Sequence, residues 1–406
     1  MKAKEPKWEF RARFRRSAFG WKSQPAIKRI KEAVSEIKKV GRKDRLLAAA
    51  GAVLLIEKLS PALERIDSSS GAIGTAVNNA LDVLVPLIAG APADVKTRDA
   101  WLERLWDAYQ EDAMPYIEQL GDSWGELCAT KEVASRWADR LLGPCKMVWD
   151  PSSDQRGFFK GTTVCLSALL AAERHDELLA LLEMAPNQIW DYREYGVRAL
   201  AAMGQTTEAL RYAEAERGIN DSPVAMARMC EQVLLSSGEI DEAYQRYGIE
   251  ANRAGTYIAW FRSVARTYPH KEPGTILSDL VAATPGEEGK WFAAAKSAQL
   301  FDEAIELARR TPCSPQTLTR AARDFKEKNP AFAIEAGMAA LRWLVEGYGY
   351  EITGADVQVA FEHTMAAGEN AGVAQNTEQR VLSLVSTECF ADGFATRILR
   401  RLLDLS

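Results

Sequence analysis

A short phrase recurs in the second half of the chain and constrains the fold more than any other feature. It reads GQTTEAL at 204–210, GEIDEAY at 238–244 and QLFDEAI at 299–305. The first two copies lie 34 residues apart, and the third follows after 61 residues, close to two such periods. An earlier stretch, HDELLALL at 175–182, matches the phrase with Leu178 in place of its alanine. A period of this length predicts repeated units of paired helices.

The phrase resembles the joint of the tetratricopeptide repeat, whose unit is two antiparallel helices of about 34 residues. In that family a small residue ends the first helix, and an acidic-Ala pair opens the second. The pairs that stand at this five-residue separation are Gly204 with Ala209, Gly238 with Ala243, and Gln299 with Ala304. The resemblance covers about residues 160–345 and implies a curved α-solenoid. As a whole, the chain also resembles bacterial proteins, a likeness that implies no activity.

The resemblance also implies where a partner binds. In the family, chosen positions of each first helix line the inner groove of the solenoid. The positions that correspond to them in this chain are Asp191, Glu194, Arg198, Arg228, Gln232 and Lys296. This set carries both signs of charge and suits an extended peptide or a partner helix. The alternative is that these side chains are ordinary solvated positions.

Helical periodicity continues through the first half of the chain. In PAIKRIKEAVSEIKKV, at 25–40, the apolar residues recur at intervals of three and four, which predicts an amphipathic helix. Further helices are predicted at 46–66, 72–88, 93–112 and 131–149. The loop-rich stretch WDPSSDQRGFF at 149–159 interrupts the pattern. We therefore expect an all-α protein, with an irregular helical domain over 25–150 and a tetratricopeptide-like domain over 160–406.

The opening segment, residues 1–24, follows a different pattern. Its stretch WEFRARFRR at 8–16 alternates large apolar and charged residues, which is the spacing of a strand. The sequence therefore predicts an extended arm whose aromatic row docks into a groove of the helical body or of a partner. Its candidate partner contacts are Trp8, Phe10, Arg11, Arg13, Phe14, Arg15 and Arg16. We expect the helical body to stay folded without this arm.

Charge is distributed unevenly along the chain. Residues 1–46 hold 16 Lys and Arg against 5 Asp and Glu, a net of +11, and the remainder holds 35 against 51, a net of −16. A basic head of this kind attracts phosphate-bearing partners, but it can equally lie on the acidic surface of its own chain or of a second copy.

Motifs that carry chemistry are missing from the sequence. It has no GxxxxGK[ST] loop, no GxGxxG after a strand and no GxSxG elbow. The six cysteines and three histidines are scattered without metal-ligand spacing. We therefore predict no catalytic residue, no metal site and no cofactor. The longest apolar run, LLAAAGAVLLI at 46–56, is about half of what a bilayer crossing needs, and no secretory signal precedes it. These features predict a cytoplasmic protein that does not bind membranes.

Two function hypotheses remain. The first is a non-catalytic scaffold or adaptor that binds a protein partner, or a second copy of itself, through the solenoid groove and the arm. The second is a nucleic-acid-associated protein whose basic arm and helix at 28–45 neutralise phosphates. Binding of the second kind falls steeply with salt.

Overall fold

The structure is a computed structural model that describes residues 8–154, 157–215, 222–386 and 393–404. Within these ranges every element of secondary structure is helical and no strand occurs, which confirms the all-α prediction. The chain forms two compact units, which are described separately.

Unit 1 comprises residues 1–222 and contains helices α1 to α10. Their bounds are α1 Ser23–Gly41, α2 Arg45–Leu63, α3 Ala72–Ala89, α4 Val95–Glu111, α5 Trp124–Cys128, α6 Lys131–Trp149, α7 Thr162–Ala171, α8 His175–Glu183, α9 Trp190–Ala202 and α10 Thr206–Glu214. Two 3-10 turns accompany them, at Phe10–Ala12 and Glu118–Leu120. Helices α1, α2 and α3 all pack against one another, α4 packs on α2, and α6 packs on α7.

Helix α2 lies at the centre of the first three helices because almost all of its residues are small or apolar. Asp44 begins it by accepting a hydrogen bond from the Leu47 backbone N–H at 2.9 Å. Most of its length, including Gly51 and Leu55, is buried inside unit 1. By length and composition alone, α2 and α3 could each cross a membrane. The burial of α2 matches the core helix of a soluble protein equally well.

In its described part, residues 8–24, the opening segment is not the extended arm that the sequence predicts. Glu9 has helical dihedrals, and a 3-10 turn follows at Phe10–Ala12. The cause lies far along the chain, since the Glu36 carboxylate accepts the backbone N–H groups of Glu9 at 2.9 Å and Phe10 at 3.2 Å. Farther on, the Ser17 N–H donates to the Pro61 carbonyl at 2.8 Å. Contacts with α1 and α2 therefore satisfy backbone groups that a strand would have to pair elsewhere.

The chain divides into its two compact units between Ser222 and Pro223, whereas the sequence places its boundary at 149–159. At that predicted boundary, α6 and α7 pack closely on each other. Cys145 of α6 and Cys165 of α7 are fully buried. The polar loop is therefore a connection inside unit 1.

Unit 2 comprises residues 223–406 and contains helices α11 to α22. Their bounds are α11 Pro223–Ser236, α12 Ile240–Ala243, α13 Ile249–Ala251, α14 Tyr257–Thr267, α15 Pro273–Ala282, α16 Phe292–Ser297, α17 Phe301–Arg310, α18 Pro315–Phe325, α19 Pro330–Val345, α20 Gly354–Asn370, α21 Ala374–Val385 and α22 Phe394–Leu402. A π-helical turn, Tyr244–Gly248, joins α12 to α13, and a 3-10 turn lies at Glu288–Trp291. The most extensive packing is that of α19 against α18 and α20.

The recurring phrase marks the same backbone joint wherever it occurs. Glu173, Gly204, Gly238 and Gln299 adopt φ values of 57°, 75°, 82° and 62°, and each stands two residues before a helix begins. In every copy the next residue donates its N–H to the carbonyl five residues back. These bonds are Arg174 to Leu169, Gln205 to Leu200, Glu239 to Leu234 and Leu300 to Ala295. Each helix therefore ends at a residue with left-handed dihedral angles, a motif that reverses the chain so that the next helix begins at once.

The alanine of the phrase is buried at each joint. Ala209, Ala243 and Ala304 are fully covered, and so is Leu178 in the earlier copy. A fifth joint of the same geometry has Gly372 at φ 71° and leads into α21. The recurring phrase does not extend to this fifth joint, so the sequence predicts no copy there.

Candidate functional site

The aromatic residues predicted to anchor a partner lie in the core of unit 1. Trp8, Phe10 and Phe14 are 8%, 2% and 2% exposed, and Phe19 continues the same cluster. Their ring centroids follow one another at 5.4, 6.4 and 5.5 Å. They are therefore not available to a partner in this structure, and their prediction as partner contacts is corrected. The sequence placed them on the buried side correctly, but the groove that takes them belongs to the same unit.

The arginines of the segment point outward, as the sequence predicts. Two of them form ion pairs within unit 1: Arg13 lies 3.1 Å from Glu32, and Arg16 lies 3.3 Å from Glu64. Arg11 and Arg15 are exposed. The pairs fasten the segment to α1 and α2, although exposed pairs of this kind contribute little stability each.

Three of the predicted groove residues lie on α9 in unit 1. Asp191 is exposed, and Glu194 is half-buried with its Oε1 3.2 Å from Nη2 of Arg198. Burial raises the pKa of the Glu194 carboxyl, and the Arg198 charge opposes that rise. Beside them, the Tyr195 hydroxyl donates to Asp122 at 3.1 Å. This face of α9 therefore carries one internal ion pair within a largely acidic surface.

The other three predicted groove residues lie in unit 2. Arg228 donates to the carbonyl oxygens of Ala251 at 2.8 Å and Arg253 at 3.3 Å, so it holds the chain end that follows α13. The Lys296 Nζ lies 6.0 Å from the Phe325 ring centroid. Gln232 is exposed. The six predicted residues are thus divided between the two units, three in each.

A groove of about 500 Å³ lies between α1 and α3. Four exposed cations line it, Lys31, Lys38 and Lys39 of α1 and Arg42 directly after that helix. Its apolar lining consists of Ile30, Val34, Ala76 and Ala80, and its polar lining is completed by Ser35 and Asn79. We call this feature the basic groove and its four cations the basic rim.

Among the described residues, no carboxylate lies within ion-pair distance of the basic rim. The glutamates of α1 are engaged on its other flank. Glu32 lies 3.1 Å from Arg13 and 3.3 Å from Arg29, and Glu36 accepts the two N–H groups that begin the 3-10 turn. Helix α1 therefore presents Glu32 and Glu36 to the opening segment and Lys31 and Lys38 to the basic groove, while Lys39 borders both surfaces.

The spacing of the basic rim was readable in the sequence. Lys31, Lys38 and Arg42 follow one another at seven and four residues, which places them on one helical stripe. The sequence indicates a basic helix at 28–45 but not the groove beside it. The groove requires α3, and nothing in the sequence of α1 indicates that α3 packs beside it.

A second groove, of about 410 Å³, lies in unit 2. Its lining is mainly apolar, with Pro315 of α18, Leu344 of α19 and Val359 of α20. Arg320 and Asp356 stand at its edge, so the two charges balance. This groove carries no net charge that would indicate the chemistry of a partner.

Glu231 and Asn252, two buried polar residues of unit 2, form a closed hydrogen-bond network with their neighbours instead of a reactive site. Glu231 accepts hydrogen bonds from the Asn252 amide at 2.6 Å and from the Tyr268 hydroxyl at 2.7 Å. Asn252 in turn accepts from Ser263 and Thr267, both at 3.0 Å. Burial raises the pKa of the Glu231 carboxyl. The network joins α11, α13 and α14 and has its acceptors satisfied, as buried polar groups require.

The described residues provide neither a metal-binding cluster nor a reactive thiol. No group of three or more His, Cys, Asp or Glu side chains there could hold a metal ion. The described cysteines, Cys128, Cys145, Cys165, Cys230 and Cys313, are all buried and form no disulfide within the described ranges. Burial raises the pKa of Cys128 and of Cys313 to about 12, so these thiols are poor nucleophiles. Cys389 lies outside the described residues.

Comparison with known proteins adds no family to this description. No protein-family model matches the chain, and no curated protein matches it.

Proposed function

We propose that this protein is a non-catalytic adaptor that captures an acidic protein partner in the basic groove of unit 1. The observation that supports the proposal is the basic rim, four cations without a carboxylate partner in the described structure beside an apolar surface. Unpaired cations attract an oppositely charged surface and steer its approach. The apolar lining adds a favourable area that a purely electrostatic contact would not use.

The adaptor proposal includes a tetratricopeptide-like solenoid as its scaffold. The repeated joint with its left-handed residue and buried alanine supports that part of the proposal. A solenoid presents rigid helix pairs and needs no reactive centre. A cytoplasmic location is also part of the proposal, because the five described cysteines form no disulfide.

Nucleic acid is the second candidate partner, and one observation favours it. Lys31 and Arg42 stand eleven residues apart on one stripe of α1, which spans about 16 Å at the rise of a helix. A row of cations of this length can contact two or three backbone phosphates. Of the arginines in the opening segment, Arg13 pairs with Glu32 on the other flank of α1 and Arg16 pairs with Glu64, so neither extends this row.

The test is binding of the full chain to poly-L-glutamate and to mixed-sequence single-stranded RNA and duplex DNA, in about 0.15 M salt. One variant changes the basic rim: Lys31→Gln, Lys38→Gln, Lys39→Gln and Arg42→Gln. A matched control removes four exposed cations of unit 2 instead: Arg266→Gln, Lys328→Gln, Arg397→Gln and Arg401→Gln. We expect poly-L-glutamate to bind the natural chain and the control, and to lose at least tenfold in affinity for the rim variant.

Equal binding of poly-L-glutamate to all three proteins would show that the basic groove is not the site. If the natural chain binds RNA or DNA more tightly than poly-L-glutamate, and the rim variant loses that binding, nucleic acid becomes the proposed partner.

A further inference from the structure

We infer that the partner enters the basic groove as an amphipathic α-helix, which lies along α1 and α3 with its apolar face down and its carboxylates against the basic rim. This inference rests on the proposed function and specifies the form of the partner. It follows from three properties of the groove.

The first property is the architecture around the groove. Helices α1, α2 and α3 pack pairwise on one another, and the groove is lined by residues of α1 and α3. It therefore lies on the outer side of the three helices, away from α2. A helix added there would complete a four-helix arrangement in which apolar stripes meet along neighbouring helices.

The second property is the shape of the groove lining. Ile30 and Ala80 are buried, while Val34 and Ala76 are half-buried, so a strip of apolar surface remains open to a partner. The two alanines on α3 leave space close to its backbone. Leu or Ile anchors at positions i, i+3, i+4 and i+7 of a docked helix would cover this strip. A phosphate backbone has no apolar side chains to place there.

The third property is the spacing of the basic rim. Lys31, Lys38 and Arg42 are separated along α1 by about 10 Å and then about 6 Å at 1.5 Å per residue. A docked helix that runs alongside presents carboxylates at the same intervals when they stand at i, i+7 and i+11. An extended peptide presents side chains on one face every ~6.6 Å, which does not match a 10 Å step.

The experiment compares two synthetic peptides of identical composition. In the first peptide, leucines stand at positions i, i+3, i+4 and i+7. Its glutamates lie on a neighbouring stripe and follow one another after seven and then four residues. In the second, the same residues are permuted so that no apolar face forms. We expect the first peptide to bind the full chain at least tenfold more tightly, and to gain helical circular dichroism signal on binding.

Variants assign the binding to the two parts of the groove. Val34→Asn replaces a half-buried apolar side chain and should weaken the amphipathic peptide about tenfold, while poly-L-glutamate keeps its affinity. The double variant Lys31→Gln and Lys38→Gln should bind both the amphipathic peptide and poly-L-glutamate more weakly. The thermal transition of each variant is measured to show that it is folded. A Val34→Leu variant should keep its affinity for the amphipathic peptide, which would show that the polarity of Asn causes the loss.

Distinct results would overturn the inference. If the two peptides bind with equal affinity, and the rim changes weaken both, the groove binds acidic partners without requiring a helix. That result would contradict the inference and retain the proposed function. Self-association of the free chain that the rim variant abolishes would make a second copy the occupant. Absence of binding by both peptides and by poly-L-glutamate would remove the inference and the proposed function together.

Discussion

Gly51 of α2 offers a sharp test of the position of the opening segment. A Cβ built on Gly51 would lie 2.6 Å from Cη2 and 2.8 Å from Cε2 of Trp8. Ordinary carbon contacts are about 3.5–4.0 Å, so Gly51→Ala forces the indole to move by about 1 Å. The added methyl group favours the helix by about 0.5–1 kcal/mol, but overpacking a core costs about 1–3 kcal/mol. We expect a net loss of about 1–2 kcal/mol in unfolding free energy.

The sign of that effect should reverse when Trp8 is absent. Trp8→Ala alone should cost about 3–5 kcal/mol, as for a large buried aromatic side chain. In that background, Gly51→Ala meets no ring and should stabilise by about 0.5–1 kcal/mol. Urea titrations followed by far-ultraviolet circular dichroism give the four free energies of this double-mutant cycle.

Gly74 in the first turn of α3 is the matched control for this cycle. A Cβ on Gly74 meets nothing within 4 Å, so Gly74→Ala should not destabilise in either background. If Gly51→Ala stabilises the natural chain as well, Trp8 does not lie against α2. The opening segment would then return to the exposed arm that its sequence pattern predicts.

Three further predictions concern the repeated joint and the buried network. Gln299→Gly should raise unfolding free energy by about 1 kcal/mol, because Gln299 has φ 62° in a region that glycine adopts without strain; a loss would mean that its side chain has a contact of its own. Ala243→Leu should cost about 1–3 kcal/mol at a fully buried site, and a neutral result would place Ala243 at the surface. Glu231→Gln should raise the urea midpoint at pH 7 but not near pH 4. Burial raises the pKa of Glu231 in the folded state, so the protonated carboxyl stabilises the fold at low pH. That stability is lost as pH rises through the folded-state pKa. A midpoint difference independent of pH would contradict this account.

The positions of the amphipathic helices were accessible from the sequence because each of them buries one stripe. The predicted helix at 25–40 corresponds to Ser23–Gly41, and 131–149 is reproduced as Lys131–Trp149. The repeat phrase located its joints because a left-handed residue and a small residue five positions later are both local requirements. The joint at Gly372 escaped detection because Thr377, not alanine, occupies the buried position.

The features that the sequence did not reveal depend on contacts between distant residues. Alternation in the opening segment separated buried Trp8 and Phe10 from exposed Arg11, but it could not distinguish a strand from a 3-10 turn. The turn is held by Glu36, which lies 26 residues beyond Phe10. Likewise, the charge of α1 indicated a basic helix, while the basic groove exists only because α3 packs alongside.

The opening segment and the basic groove are coupled through the glutamates of α1. While the segment is in place, the two Glu36 carboxylate oxygens accept the N–H groups of Glu9 and Phe10, and Glu36 forms no ion pair with the neighbouring Lys39. If the segment is displaced, Glu36 becomes able to pair with Lys39, three residues along the helix, at about 0.2–0.5 kcal/mol. We therefore expect Trp8→Ala to weaken poly-L-glutamate binding by about twofold, although Trp8 does not line the groove. Adding Glu36→Gln should restore the affinity, since the amide carries no charge to offer Lys39. Unchanged binding in Trp8→Ala, with the segment shown to be released by protease sensitivity, would mean that the two flanks of α1 act independently.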